Sequence, residues 1–122
     1  MNNGILRIDG YAGLMAGIVV WLLRDLLIEL YQIPMWLLVV NITANIAYGI
    51  GASLLASWRH RPISAIIALS IANLLWAVLC MGIAVWIAPT ASFFAVGHFV
   101  GESIFVGTLG ILEWRWRAHL GR

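Results

Sequence analysis

His98 and Glu102 stand four residues apart in the run Gly97-His98-Phe99-Val100-Gly101-Glu102-Ser103, inside the last apolar segment of the chain. On a helix that spacing puts an imidazole and a carboxyl group on one face, one turn apart. Such a pair can exchange a proton, form an ion pair, or hold a small polar or cationic solute. An ionisable residue within a membrane-crossing helix is expensive and marks a functional site by default. The competing explanation is a structural clasp, in which Glu102 bonds Asn45, Asn73 or His98 and fixes helix register. Polar contacts between helices in lipid contribute only about 0.6 kcal/mol on average. Ser or Gln would supply that much, so a Glu favours a ligand or proton role.

Other polar residues fall where they can reach this pair. Asn41, Asn45 and Tyr48 follow one another at spacings of four and three, a polar seam on an otherwise apolar segment. Asparagine in lipid must find partners, so the seam should face other helices. Asn73 sits near the middle of the third apolar segment, with Ser70 and Cys80 broadly on its side. Arg24 admits two readings: a side chain snorkelling to the interface, or one pointing inward along the face of Gly10, Gly13 and Gly17. The expected site is therefore His98, Glu102, Asn41, Asn45, Tyr48, Asn73 and Arg24, gathered at a common depth.

The elements that must position these groups are read from the bulk composition. Of 122 residues, 63% are hydrophobic and 10% charged. Soluble domains are about 45–50% apolar and about 25% charged, so most of this surface must face lipid. Four segments are expected to span the bilayer, at about 10–30, 34–57, 62–87 and 92–112, in one domain. Residues Met1 to Asp9 read as a short polar start. The run after Arg7 lacks a small-residue cleavage site and continues into Arg24-Asp25, which makes it an uncleaved first span rather than a signal peptide. Pro34 and Pro62 suit the first turns of spans two and three, and Ser92 is a candidate N-cap for span four. Gly13 and Gly17 form a small-xxx-small pair that permits close helix approach, and Gly97 and Gly101 suggest the same for span four.

Short turns make sequential spans antiparallel neighbours, which predicts an all-α, up-down-up-down four-helix transmembrane bundle. Arg7, the turn with Arg59 and Arg61, and the tail with Arg115, Arg117 and Arg122 fall on one side of such a chain. The positive-inside rule makes that side, with both termini, cytoplasmic. The expected location is a bacterial cytoplasmic membrane. Six of the seven tryptophans can lie near an interface; Trp76 falls mid-span, so its indole N–H needs a protein partner.

Several chemistries are disfavoured. A lone Cys80 allows no intrachain disulfide or cysteine metal cluster. His98 and Glu102 lack a third metal ligand, a single axial His98 is a weak haem signal, and no phosphate-binding loop is present, so no motif requires a cofactor. Ser103 lies about 100° around the helix from Glu102 and makes a poor nucleophile. The basic residues form no clustered nucleic-acid footprint. Arg115 and Arg117, interleaved with Trp114 and Trp116, suit an interface anchor with a preference for anionic lipid. The residues point to transport or binding of a small polar or cationic solute or a proton, with a homo-oligomer expected because four short helices barely enclose a path. An accessory subunit of a larger membrane complex is the alternative, and a lipid-, quinone- or haem-handling enzyme ranks third.

Overall fold

The computed structural model describes residues 4–58 and 60–120. Among the described residues the chain is all helix, without strands: α1 (Gly4–Leu22), α2 (Arg24–Tyr31), α3 (Met35–Ser57), α4 (Ile63–Ile87), α5 (Phe93–Arg115) and α6 (Arg117–Leu120). Four of these, α1, α3, α4 and α5, are long and apolar enough to cross a membrane, at 19, 23, 25 and 23 residues. At about 1.5 Å per residue the shortest is close to the thickness of a bilayer hydrocarbon core, about 30 Å. Between 33% and 39% of the most apolar stretch of each is buried inside the protein. The remainder is an outward surface of Leu, Val, Ile and Phe side chains, as suits an integral membrane protein.

Two boundaries differ from the sequence expectation. The first helix begins at Gly4, not near Gly10, so Arg7 and Asp9 are helical. Asp9 is drawn into the helix because its side chain is buried and hydrogen-bonded to α4. The expected single span to about Leu30 is divided at Leu23 (φ −99°, ψ 10°). The helical pattern survives across the break, with Leu23 N–H on Val19 O (3.0 Å) and Leu27 N–H on Leu23 O (2.8 Å). Gln32 then closes α2 in the left-handed conformation (φ 58°) and donates its N–H to Ile28 O. Pro34 and Pro62 sit one residue before their helices. Ser92 caps α5 by accepting from Ala95 N–H.

The long helices associate in two pairs. Gly10, Gly13 and Gly17 of α1 lie against Ser53, Gly49 and Ile46 of α3. A Cβ on Gly13 would stand 2.7 Å from Asn45 O and 3.0 Å from Gly49 Cα, so only glycine admits this approach. The residue numbers on α3 fall as those on α1 rise. In the second pair Ser70 Oγ donates to Gly110 O (2.7 Å) and Ser103 Oγ donates to Ala77 O (2.6 Å). The pairs meet through larger side chains: Leu38, Ile42, Trp76, Ala84 and Phe99 in one apolar cluster, and Leu6, Ala52, Ile66, Leu109 and Leu120 in another.

The expectation that Gly97 and Gly101 bring α5 against a neighbour is corrected. A Cβ on either would meet nothing within 4 Å; Gly107 and Gly110 are the glycines that face α4. The signal was misassigned because two small-residue faces exist on α5 and spacing does not say which is covered.

Hydrogen bonds tie each end of the bundle. At one, Ser92 N–H donates to Tyr31 O (3.0 Å). At the other, Arg61 donates to the last carbonyls around α3, Leu55, Ala56 and Trp58, and to Leu120 O at the end of α6. A cation there satisfies orphan carbonyls and complements the helix dipole.

The glycine contact gives a direct expectation. Gly13→Leu must separate α1 from α3 and should destabilise by about 1–3 kcal/mol or more, the usual cost of overpacking. Gly82→Ala, where a Cβ meets nothing within 4 Å, should be neutral. Thermal unfolding of both variants in detergent checks the contrast.

Candidate functional site

Glu102 projects from α5 into the seam between the two helix pairs. Asn41 and Asn45 reach it from α3, Trp76 and Cys80 from α4, and His98 from its own helix. Oε1 accepts from Asn41 Nδ2 (2.9 Å) and His98 Nε2 (3.3 Å), and it lies 3.3 Å from Asn45 Nδ2, which also donates to Asn41 O (2.9 Å). Oε2 accepts from Trp76 Nε1 (2.6 Å) and Asn45 Nδ2 (3.2 Å), with Cys80 Sγ at 3.8 Å. An indole N–H and an amide NH₂ can only donate, and a carboxylate can only accept. The shell is matched to an ionised Glu102.

The histidine is equally constrained. His98 Nε2 faces two acceptors, Glu102 Oε1 and Asn41 Oδ1 (3.1 Å), so Nε2 carries a proton. Its Nδ1 lies 3.0 Å from Tyr31 Oη. A neutral imidazole protonated on Nε2 satisfies every contact, with the tyrosine O–H donating to Nδ1. An imidazolium would make Tyr31 an acceptor and form a full ion pair with Glu102. Both forms of the imidazole fit the same three contacts. Asn41 fixes the polarity of the network: its Oδ1 serves His98 and Asn45, and its Nδ2 serves Glu102.

Of the residues expected from sequence, His98, Glu102, Asn41 and Asn45 meet in this network. Tyr48 lies beside it, donating to Ala72 O (3.2 Å) with its ring 6.4 Å from that of Trp76. Arg24 is set apart. Its guanidinium donates to Trp21 O (2.8 Å) and stacks 4.0 Å above the Trp21 ring, which agrees with the interfacial alternative. The break at Leu23 lies just before it.

Asn73 also differs from its expected place. It does not contact Glu102; its Nδ2 donates to Asp9 Oδ2 (2.8 Å) and Glu113 Oε1 (2.8 Å). The α4 residues that meet Glu102 are Trp76 and Cys80, one and two turns further along. Counting from helix ends placed Asn73 and Glu102 at one depth, but a register difference of one turn redirects a side chain completely.

The second polar centre, Asp9–Asn73–Glu113, was missed because both acids stand at segment ends where interface residues belong. A signal existed for Glu113: it lies eleven residues, three helical turns, beyond Glu102, on the stripe continued by Phe105 and Leu109. Tyr31, the last residue of α2, is a further member of the site, and its helical spacing from Gly10, Gly17 and Arg24 is the local signal that turns it toward the protein. The tail arginines remain at the surface, with Arg117 stacked 4.2 Å over Trp114 and donating to its carbonyl.

A cavity of about 250 Å³ joins the two centres. Its polar wall is Asp9, Asn45, Tyr48, Asn73, Trp76, His98 and Glu102; Ala12, Gly13, Ala16, Gly101 and Phe105 belong to its small and apolar lining. No Arg lines it, and the chain has no Lys. Among the described residues no group of three or more His, Cys, Asp and Glu is placed to hold a metal. No protein-family model, curated protein or solved structure matches the chain.

The rearranged partnership of Asn73 is testable by double-mutant cycles on unfolding free energy. Trp76→Phe with Glu102→Gln should show a coupling of about 0.5–3 kcal/mol, as residues in contact do. Asn73→Ala with Glu102→Gln should show the smaller coupling, because the two share no hydrogen-bond partner and are joined only by the cavity.

Proposed function

We propose that this chain is a small integral membrane protein that binds, and moves between the two sides, a small monovalent organic cation at Glu102. The observation that carries this reading is the cavity wall: two carboxyl groups, three aromatic side chains and no Arg or Lys. Carboxylates attract a cation, and the faces of Tyr48, Trp76 and Phe105 offer cation–π contacts worth about 2 kcal/mol or more when desolvated. Donors already on Glu102 hold the carboxylate in place and would be exchanged in part as a cation enters. His98 adds a proton that can be gained when the cation leaves.

The same reading takes the four long helices as spans that alternate in direction. The falling register of α3 against α1, and of α5 against α4 (Ser70 with Gly110, Ala77 with Ser103), supports it. Arg61, Arg115 and Arg117 then share the end that carries the termini, opposite Gln32 and Thr90, and that end is cytoplasmic by the positive-inside rule. Arg115 and Arg117 would there meet anionic lipid.

A second reading, an accessory subunit of a larger membrane complex, is favoured by the uncovered small face at Gly97 and Gly101. Another helix could approach there without steric cost.

Tetramethylammonium is the probe for the first reading, titrated calorimetrically into the protein in detergent. Saturable binding is expected, weakened at least tenfold (about 1.4 kcal/mol) by Glu102→Gln and unchanged by Asp25→Asn. Lack of saturable binding by the unsubstituted protein overturns it. For the topology, a reporter active only in the cytoplasm should work on either terminus, and one active only outside should work on neither. For the second reading, Gly97→Leu, outside the cavity lining, should abolish partner co-purification and leave tetramethylammonium binding measurable.

A further inference from the structure

The Asp9–Asn73–Glu113 centre poses a hydrogen-bond problem that the residues around it leave open. Glu113 is fully buried and Asp9 is 5% exposed. Each carboxyl group takes one hydrogen of the single Asn73 amide, at 2.8 Å. Two oxygens on one amide nitrogen hold the two carboxyl groups side by side. Glu113 Oε2 is buried without any hydrogen-bond partner. A carboxylate only accepts, so two ionised groups in contact have no donor between them and leave an oxygen orphaned.

Charge raises the same difficulty. The one ion pair among the described residues is His98 with Glu102. From α3 the titratable group that lines the same cavity as Asp9 is the Tyr48 phenol, from α4 the partner is the neutral Asn73 amide, and in α6 Arg117 is engaged by Trp114. Two bare carboxylates side by side in an apolar interior repel one another, so the pair favours holding one proton over full ionisation.

One proton removes both difficulties. It cancels one of the two charges and supplies the absent donor. We propose that Asp9 and Glu113 form a proton-binding site, holding one exchangeable proton between a carboxyl group on α1 and one on α5. In the loaded state one group is a carboxylic acid whose O–H donates to the other, a carboxylate; release returns the proton to water and leaves the pair with two negative charges. Asp9 and Asn73 line the cavity that also reaches Glu102, so the released proton enters the space assigned above to a cation. That last link rests on the cation reading of the preceding section; the shared proton itself does not.

Infrared spectroscopy of the whole protein in lipid vesicles at neutral pH tests this. A C=O stretch of a protonated carboxyl group, shifted in D₂O, is expected in the unsubstituted protein. It should persist in Glu102→Gln and be lost in both Asp9→Asn and Glu113→Gln. If either variant does not fold, Glu102→Gln protein carrying heavy-carbon carboxyl labels on all Asp, or on all Glu, answers the same question, since the band must shift with the label on the group that carries the proton. No band at neutral pH, loss of the band in Glu102→Gln, survival in either pair variant, or response to neither label would each overturn the proposal. Because tetramethylammonium binding is read separately, the cation reading can fail while the shared proton stands, and the reverse.

Discussion

A carboxylate enclosed among apolar helices must have its lone pairs satisfied by donors from the protein itself, because no bulk water is there to do it. Glu102 meets that demand with donors from three helices: two amides of α3, the indole of α4 and the imidazole of α5. Tyr31 at the end of α2 is recruited indirectly, through His98. This one requirement accounts for the Asn41–Asn45 seam, for a tryptophan far from any interface, and for a tyrosine buried beside a turn. It also gives the two helix pairs a reason to adopt one register. Apolar side chains could slide past each other at little cost, whereas a hydrogen-bonded carboxylate admits one arrangement.

The two kinds of packing divide the labour. Within each pair, glycine and serine let backbones approach, and the contact is dry and close. Between the pairs, long polar and aromatic side chains hold the helices further apart, and the cavity occupies the space they do not fill. Asp9, His98 and Glu102 line that space, whereas Arg7 lies on the outer surface of α1. The acids divide between two centres with different chemistry. Glu102 is surrounded by donors and suits a fixed negative charge. Asp9 and Glu113 have one amide between them.

Much of the candidate site was legible in the amino-acid sequence. His98 with Glu102, and Asn41 with Asn45, are local helical spacings, and residues three or four apart must share a face whatever the tertiary packing. The need of Trp76 for a partner follows from its mid-span place and its single donor. Asn73, Asp9 and Glu113 were not legible as a group. Their meeting joins α1, α4 and α5 and depends on how far each helix is slid along its neighbour. Hydropathy locates helix ends only to within a turn, and at segment ends an acid that faces inward looks the same as one that faces a headgroup.

What the sequence by itself determined is the class of the molecule and the intrahelical geometry: four apolar helices, a one-turn imidazole–carboxyl pair, and a polar seam that had to face protein. Those follow from composition and from the fixed 3.6-residue helical period. Only the tertiary structure decided which donors reach Glu102, that Arg24 turns to Trp21, that Gly97 and Gly101 stay uncovered, and that two further carboxyl groups share one asparagine. Each of those depends on relative helix rotation and translation, which short-range sequence rules do not encode.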